Sequence, residues 1–507
     1  MRNKRIIPLI VATAVTASSV CAFLPAAVMR TSASAVFKDD TVILRVCNWE
    51  EYIDLGEWDD DEVIDLESGD VFGENPLYED FEEWYFEQTG QRVKVEYSCF
   101  GTNEELYNML TIGDVYDLVC PSDYMIMKLM AENQLVPFSD DFYDEDNEEN
   151  YYVKGVADFI KDVFETNEIG GEPWSKYAAG YMWGVTGMLY NPEEVSQEDV
   201  STWKILNNSE YYRQVTVKDN VRDTMFAAVG AIKSELLLSE EFKNSENYAD
   251  RLMDEMNDVS EENIAKVQEF LQATKENAYS FESDSGKADM ITGKVLANLQ
   301  WSGDAVYAMD QAEEDDYFLE YSVPDECTDL WFDGWVMLKS GIEEDSRKQA
   351  AAQAFINYLS MPENAIRNMY YIGYTSVISG GDSDKVFEYV DWTYSADPEE
   401  EDPEDLIEYP VGFYFSGDYE DENYIITTTE DQARRQLFAQ YPTKEVIDRS
   451  AVMWYFDDEA NARVNQMWIN VRCMNVNNIP VWLWITGGII FALVIFIMVR
   501  TRIKNKM

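Results

Sequence analysis

In the stretch DLWFDGWVML (residues 329–338) a carboxylate, Asp333, stands among three large rings, Trp331, Phe332 and Trp335. An ionised acid held among rings without a partner costs several kcal/mol. The stretch therefore demands a compensating cation, from the protein or from a ligand. Catalysis is constrained by an omission: the 507 residues include no histidine. This excludes Ser-His-Asp and Cys-His catalysis, HExxH zinc centres and the commonest general base near neutral pH. Carboxylate-pair chemistry of the glycosidase kind survives. Six cysteines without a CxxC spacing make neither a disulfide scaffold nor a metal or redox motif, and nothing in the sequence calls for a cofactor. Cys47, Cys99 and Cys120 lie in or beside strand-like segments and read as buried free thiols.

The chain carries 98 acidic against 38 basic residues, for a net charge of −60. Eight of the basic residues stand in the two ends (Arg2, Lys4, Arg5, Arg30; Arg500, Arg502, Lys504, Lys506), so the body between them is more acidic still. Such a field repels nucleic acid and gathers cations, although acid-rich surfaces also serve plain solubility. With 46% apolar residues and 14 Trp, 32 Tyr and 24 Phe, the body is folded rather than disordered. Residues 1–35 combine a basic start, an apolar run and the small-x-small site Ala33-x-Ala35, as a secretory signal or a retained anchor does. Residues 479–499, IPVWLWITGGIIFALVIFIMV, are 21 largely apolar residues without a charge, enough for one bilayer crossing. The basic tail 500–507 then belongs in the cytoplasm and the body outside the cell membrane.

The elements that must position Asp333 follow from the periodicity. TVILRVCNW, QRVKVEYSCF and YDLVCPS read as strands. PLYEDFEEWYFEQTG and TNEELYNMLTIG read as helices closed by Gly90 and Gly113. This β-α-β-α-β order predicts a parallel sheet with helices on its faces, and ligands on such sheets bind beyond the carboxyl ends of the strands. AGYMWGVTGMLYN is a Gly-punctuated strand crossing into a second domain, and LWFDGWVMLKS is the strand that returns. SRKQAAAQAFINYLSMPENAIRNMYYIGYTS gives two helices broken at Pro362. Acidic tracts at 54–79, 139–150 and 397–405 read as solvated insertions.

Taken in order, NWEEYI, QTGQRVKVEYSCFGTNEELYNML, YDLVCPSDYMI, GYMWGVTGMLYN, DNVRDTMFAAVGA, LQWSGDA, LWFDGWVML and YYIGYTS resemble the extracytoplasmic spermidine/putrescine-binding proteins of ABC transporters. The resemblance implies an α/β, two-lobed, type II periplasmic-binding-protein-like fold with a hinge. Its lobes are 40–183 with 333–384, and 184–332 with 385–471. It implies no enzyme activity and no metal. The function it implies is capture of putrescine or spermidine for ABC permease subunits with a cytoplasmic ATPase. The ligand contacts it implies are Trp49, Glu51, Tyr52, Ser122, Tyr124, Asp223, Trp301, Asp304, Trp331, Asp333 and Tyr374. Asn220 falls where spermidine-binding relatives often carry an acid. The acidic tracts and both terminal segments depart from the soluble pattern and suggest a membrane-tethered version. Strand alternation puts Trp331, Asp333 and Trp335 on one face, with Trp335 deeper. The rival readings are a binder of another small organic cation, a glycosidase, and a sensor of the same fold without a transporter.

Overall fold

The computed structural model describes residues 41–473, apart from 60–61, 343–344, 382, 398–400 and 402–404. The expected leader and the apolar run 479–499 lie outside the described residues. Among those described, no helix is long and apolar enough to cross a membrane.

The first lobe forms as its periodicity predicts. Strand Val42–Trp49 pairs in parallel with Val93–Phe100 on one side and with Leu118–Val119 on the other. Helix Leu77–Thr89 and helix Asn103–Ile112 fill the crossovers. Thr102 caps the second of these by accepting from the Glu105 N–H, and Gly90 and Gly113 end the two helices at positive φ.

Two long strands, Ala178–Tyr190 and Thr328–Leu338, are buried along their whole length and run antiparallel to each other. At one end Val336 and Met337 pair with the first-lobe strand Leu118–Val119. At the other, Thr186–Tyr190 pairs with Ala297–Trp301, which pairs with Val215–Lys218, which in turn pairs with Ser280–Glu282. One sheet therefore runs through both lobes, and the two strands form the passage between them.

The ladder between the crossing strands shifts register between Asp333 and Gly334, whose partners are Met182 and Gly180, leaving Tyr181 as the extra residue. Past this bulge Trp335 packs on Tyr181 and Phe355, at ring-centroid distances of 5.1 and 5.6 Å, and is only 1% exposed. Trp335 is thus first-lobe core, whereas Trp331 packs on Tyr374 at 5.8 Å.

Three expectations change. The tract 54–79 is not merely a solvated insertion: Trp58, Ile64, Leu66 and Val71 are buried, and Asp54 is wholly buried in an ion pair with Arg367 at 2.7 Å. Cys99 is exposed, because it lies on an edge strand, while Cys47 and Cys120 are buried as expected. Helices Ser346–Leu359 and Pro362–Ile372 break at Pro362, but the next helix, Lys385–Tyr394, packs against Pro362–Ile372. The Tyr414 hydroxyl, further on, donates to the Ser376 carbonyl. This part of 385–471 therefore rests on the first lobe. Only later does the chain reach the second, where Asp458–Arg472 packs on Glu261–Asn277.

Candidate ligand site

Asp333 sits at the bulge, and among the described residues no lysine or arginine forms an ion pair with it. Its two oxygens accept from neutral hydroxyls, Ser122 at 2.7 Å and Tyr52 at 2.8 Å. Ser122 is brought there because it precedes helix Asp123–Ala131 and bridges across to Asp333, with the Gly334 N–H bound to the Pro121 carbonyl at 3.0 Å. Tyr52 follows the carboxyl end of the first strand, the position at which open α/β sheets present ligand groups. Burial pushes the Asp333 carboxyl up to about 6; the Ser122 and Tyr52 hydroxyls oppose the rise and the nearby Asp223 charge adds to it.

A wall of rings lines this acid. Tyr52 meets Tyr374 edge-on at 5.0 Å, and Tyr374 meets Trp331. Two glycines make room for that wall. A Cβ on Gly184 would stand 2.4 Å from the Trp331 ring, and one on Gly303 would stand 2.3 Å from the Tyr374 ring.

The second lobe contributes the opposite side. Asn220 caps helix Val221–Leu237 through its side-chain oxygen, which accepts from the Arg222 N–H at 2.8 Å. Asp223 in the first turn accepts from the Trp301 indole at 3.1 Å. Burial raises its carboxyl to about 6, opposed first by that indole and then by the Lys218 charge. Asp304 opens helix Ser302–Glu313 and is differently placed. One of its oxygens takes the Tyr374 hydroxyl at 2.9 Å and Lys287 Nζ at 3.4 Å, and the other faces Lys218 Nζ at 3.5 Å. Burial raises this carboxyl, but the two lysines outweigh it and hold it below the usual carboxylate range.

Eight of the eleven candidates therefore form one chain of contacts: Ser122, Asp333, Tyr52, Tyr374, Trp331, Asp304, Trp301 and Asp223, the last two joined to Asp304 through Lys218. Tyr124 is one step removed. Asn103 donates to both the Tyr124 and Ser122 hydroxyls at 3.0 Å, and the Tyr124 ring carries the Arg222 guanidinium at 4.4 Å. That guanidinium also lies 4.0 Å over Phe456 and donates to the Trp454 carbonyl, so Tyr124 and Arg222 join the lobes. Trp49 packs on Phe100 at 4.8 Å, and Glu51 is exposed at φ 54; among the described residues no hydrogen bond or ring contact ties either to the chain.

Lys218, Lys287, Arg222 and a second pair of buried acids escaped the reading from sequence. Asp123 accepts from the Tyr124 and Phe332 N–H groups and is raised by burial to about 8; Asp329, one strand residue before Leu330, is raised well above its usual value by burial and by Asp123. A usable signal existed only for Lys218, a charge at the carboxyl end of the apolar strand VTVK.

A family model described as bacterial extracellular solute-binding protein matches residues 77–393. The chain is 25% identical over 337 residues to the putrescine-binding periplasmic protein SpuD of Pseudomonas aeruginosa, covering 64% of this chain and 75% of that protein. It is 24% identical over 280 residues to the putrescine-binding periplasmic protein PotF of Escherichia coli, covering 54% and 67%. Among solved structures, the spermidine/putrescine ABC transporter substrate-binding protein PotD of Streptococcus pneumoniae superposes with a TM-score of 0.53 at 21% identity, covering 85% of this chain and 98% of that one. The TpPotD lipoprotein of Treponema pallidum superposes with a TM-score of 0.54 at 17% identity, covering 85% and 99%. At these identities the structural likeness speaks for the two-lobed fold.

Proposed function

We propose, for a chain that belongs to the bacterial extracellular solute-binding protein family, that its solute is a small polyamine captured between the two lobes and passed to an ABC permease. The observation that carries this reading is Asp333: a buried acid beside the Tyr52–Tyr374–Trp331 run of rings whose partners among the described residues are the Tyr52 and Ser122 hydroxyls rather than a lysine or arginine. A polyamine is a methylene string with ammonium groups at fixed spacing. Rings supply apolar area at low entropic cost, and their faces attract ammonium groups by about 0.5–2 kcal/mol each. Charged hydrogen bonds add about 1.5–3 kcal/mol apiece. Two such ends with stacking reach roughly micromolar affinity, about −8 kcal/mol, after the costs of association.

The names of SpuD and PotF as putrescine-binding proteins support this reading over another organic cation. A glycosidase is disfavoured because the family is one of solute binders. Trp49, Glu51 and Tyr124 stand outside the contact chain, so the proposal gives the ligand to the other candidates. A thermal-shift panel on the full chain tests the function: putrescine or spermidine at millimolar concentration is expected to raise the melting temperature by several degrees while potassium and tetramethylammonium do not. No shift with either amine would sink the polyamine reading.

The apolar run 479–499 with its basic tail is proposed as a single-pass anchor that holds both lobes outside the membrane. Fractionated cells should then retain the chain in membranes after alkaline carbonate washing. Release into the wash would rule the anchor out.

A further inference from the structure

The acids of the cleft are not equivalent, because the chain already supplies cations to some of them. Lys218 Nζ, on a residue 1% exposed, lies 4.3 Å over the Trp301 ring, 3.5 Å from Asp304 and 3.7 Å from Glu282. Lys287 Nζ lies 3.4 Å from the other Asp304 oxygen and 2.9 Å from Asp284. An ammonium over an indole face and against a carboxylate is the environment a bound amine would take. Lys218 creates it with the protein's own atoms. By contrast, among the described residues no lysine or arginine nitrogen comes within 4.0 Å of Asp333 or Asp223, whose bonded partners are the Ser122 and Tyr52 hydroxyls and the Trp301 indole. Arg222 is engaged elsewhere, between Tyr124 and Phe456.

We propose that Lys218 and Lys287 fill the third cationic position of the cleft, so that the site selects a dication with two ammonium ends, a short diamine, and rejects a triamine. The inference rests on the polyamine reading above. Asp333 and Asp223 take one ammonium each, and the aromatic wall from Tyr52 to Trp331 takes the methylenes. A triamine must either bring its third ammonium against two lysine ammonium groups or leave it desolvated without an acid. Both choices oppose binding. Asp304, the acid that the family resemblance would give to the ligand, is on this reading a holder of lysines.

Calorimetry of putrescine and spermidine against the full chain tests the proposal. The wild-type chain is expected to favour putrescine by tenfold or more. Lys287→Met is expected to move the spermidine-to-putrescine affinity ratio at least threefold towards spermidine. Lys218→Met removes a charge that is itself buried and risks the fold, so Lys287, with a side chain 18% exposed, carries the decision. Preference for putrescine below tenfold in the wild type, or a ratio moved less than threefold by Lys287→Met, overturns the inference alone. Absence of binding by either amine overturns the polyamine reading and the inference with it.

Discussion

Asp333→Asn is expected to weaken putrescine binding by ten- to a hundredfold and, at pH 8, to raise the melting temperature of the ligand-free protein. The two effects come from the same burial. Replacing a carboxylate that meets an ammonium removes a charged hydrogen bond worth about 1.5–3 kcal/mol, and each 1.4 kcal/mol is about tenfold in affinity. In the empty cleft the same charge is a liability. Its folded value, about 6, lies above the ordinary 3.8, so the folded state holds the proton more tightly than the unfolded chain. The stability this gives is present at low pH and lost as pH rises through 6, a loss of order a few kcal/mol. Asparagine escapes that loss and can still accept from one hydroxyl, Ser122 or Tyr52. Calorimetry reads the affinity, and unfolding at pH 8 against pH 4.5 reads the stability. The stabilisation should be large at pH 8 and small at pH 4.5. Unchanged affinity would remove Asp333 from the site.

Lowering the pH from 7 to 5 is expected to weaken putrescine binding by about a hundredfold in the wild type. Asp333 and Asp223 both stand near 6, so at pH 5 the empty cleft is mostly protonated at both and each costs roughly tenfold in affinity. The ligand does not change charge in this window, because aliphatic amines keep their protons far above it. Asp304 adds nothing to the slope, since Lys287 and Lys218 hold it ionised. Binding at pH 5 must therefore release close to two protons, which calorimetry in buffers of different ionisation heat can count. Asp223→Asn should reduce the count to about one and flatten the profile. An affinity independent of pH between 5 and 7 would contradict the assignment of both carboxylates to the ligand.

What the sequence showed was whatever depends on neighbours along the chain. Strand and helix periods placed Val42–Trp49, Leu77–Thr89 and Val93–Phe100, and the acid among rings marked Asp333 at once. The Gly-punctuated run was recognisable as a crossing because a strand that leaves one core for another stays apolar on both faces, as Ala178–Tyr190 does. Pairings between distant segments were not legible. Nothing near Asp54 announces Arg367, and nothing near Asp304 announces that Lys218 and Lys287 converge on it. The bulge at Tyr181 was equally hidden, since alternation read on one strand is blind to an extra residue on its partner, whereas the deeper place read for Trp335 is the one it takes, behind Tyr181.

The unbroken strand pair between the lobes has a mechanical meaning. Because these two strands cross without a break, a change in the angle between the lobes must bend a hydrogen-bonded ladder, and the bulge at Tyr181 is where that ladder is already interrupted. Trp331 and Asp333 lie on the ribbon itself at that point. A solute held there would touch the connecting ribbon as well as the two lobes that face it, so its binding and the angle between the lobes would be read by the same residues.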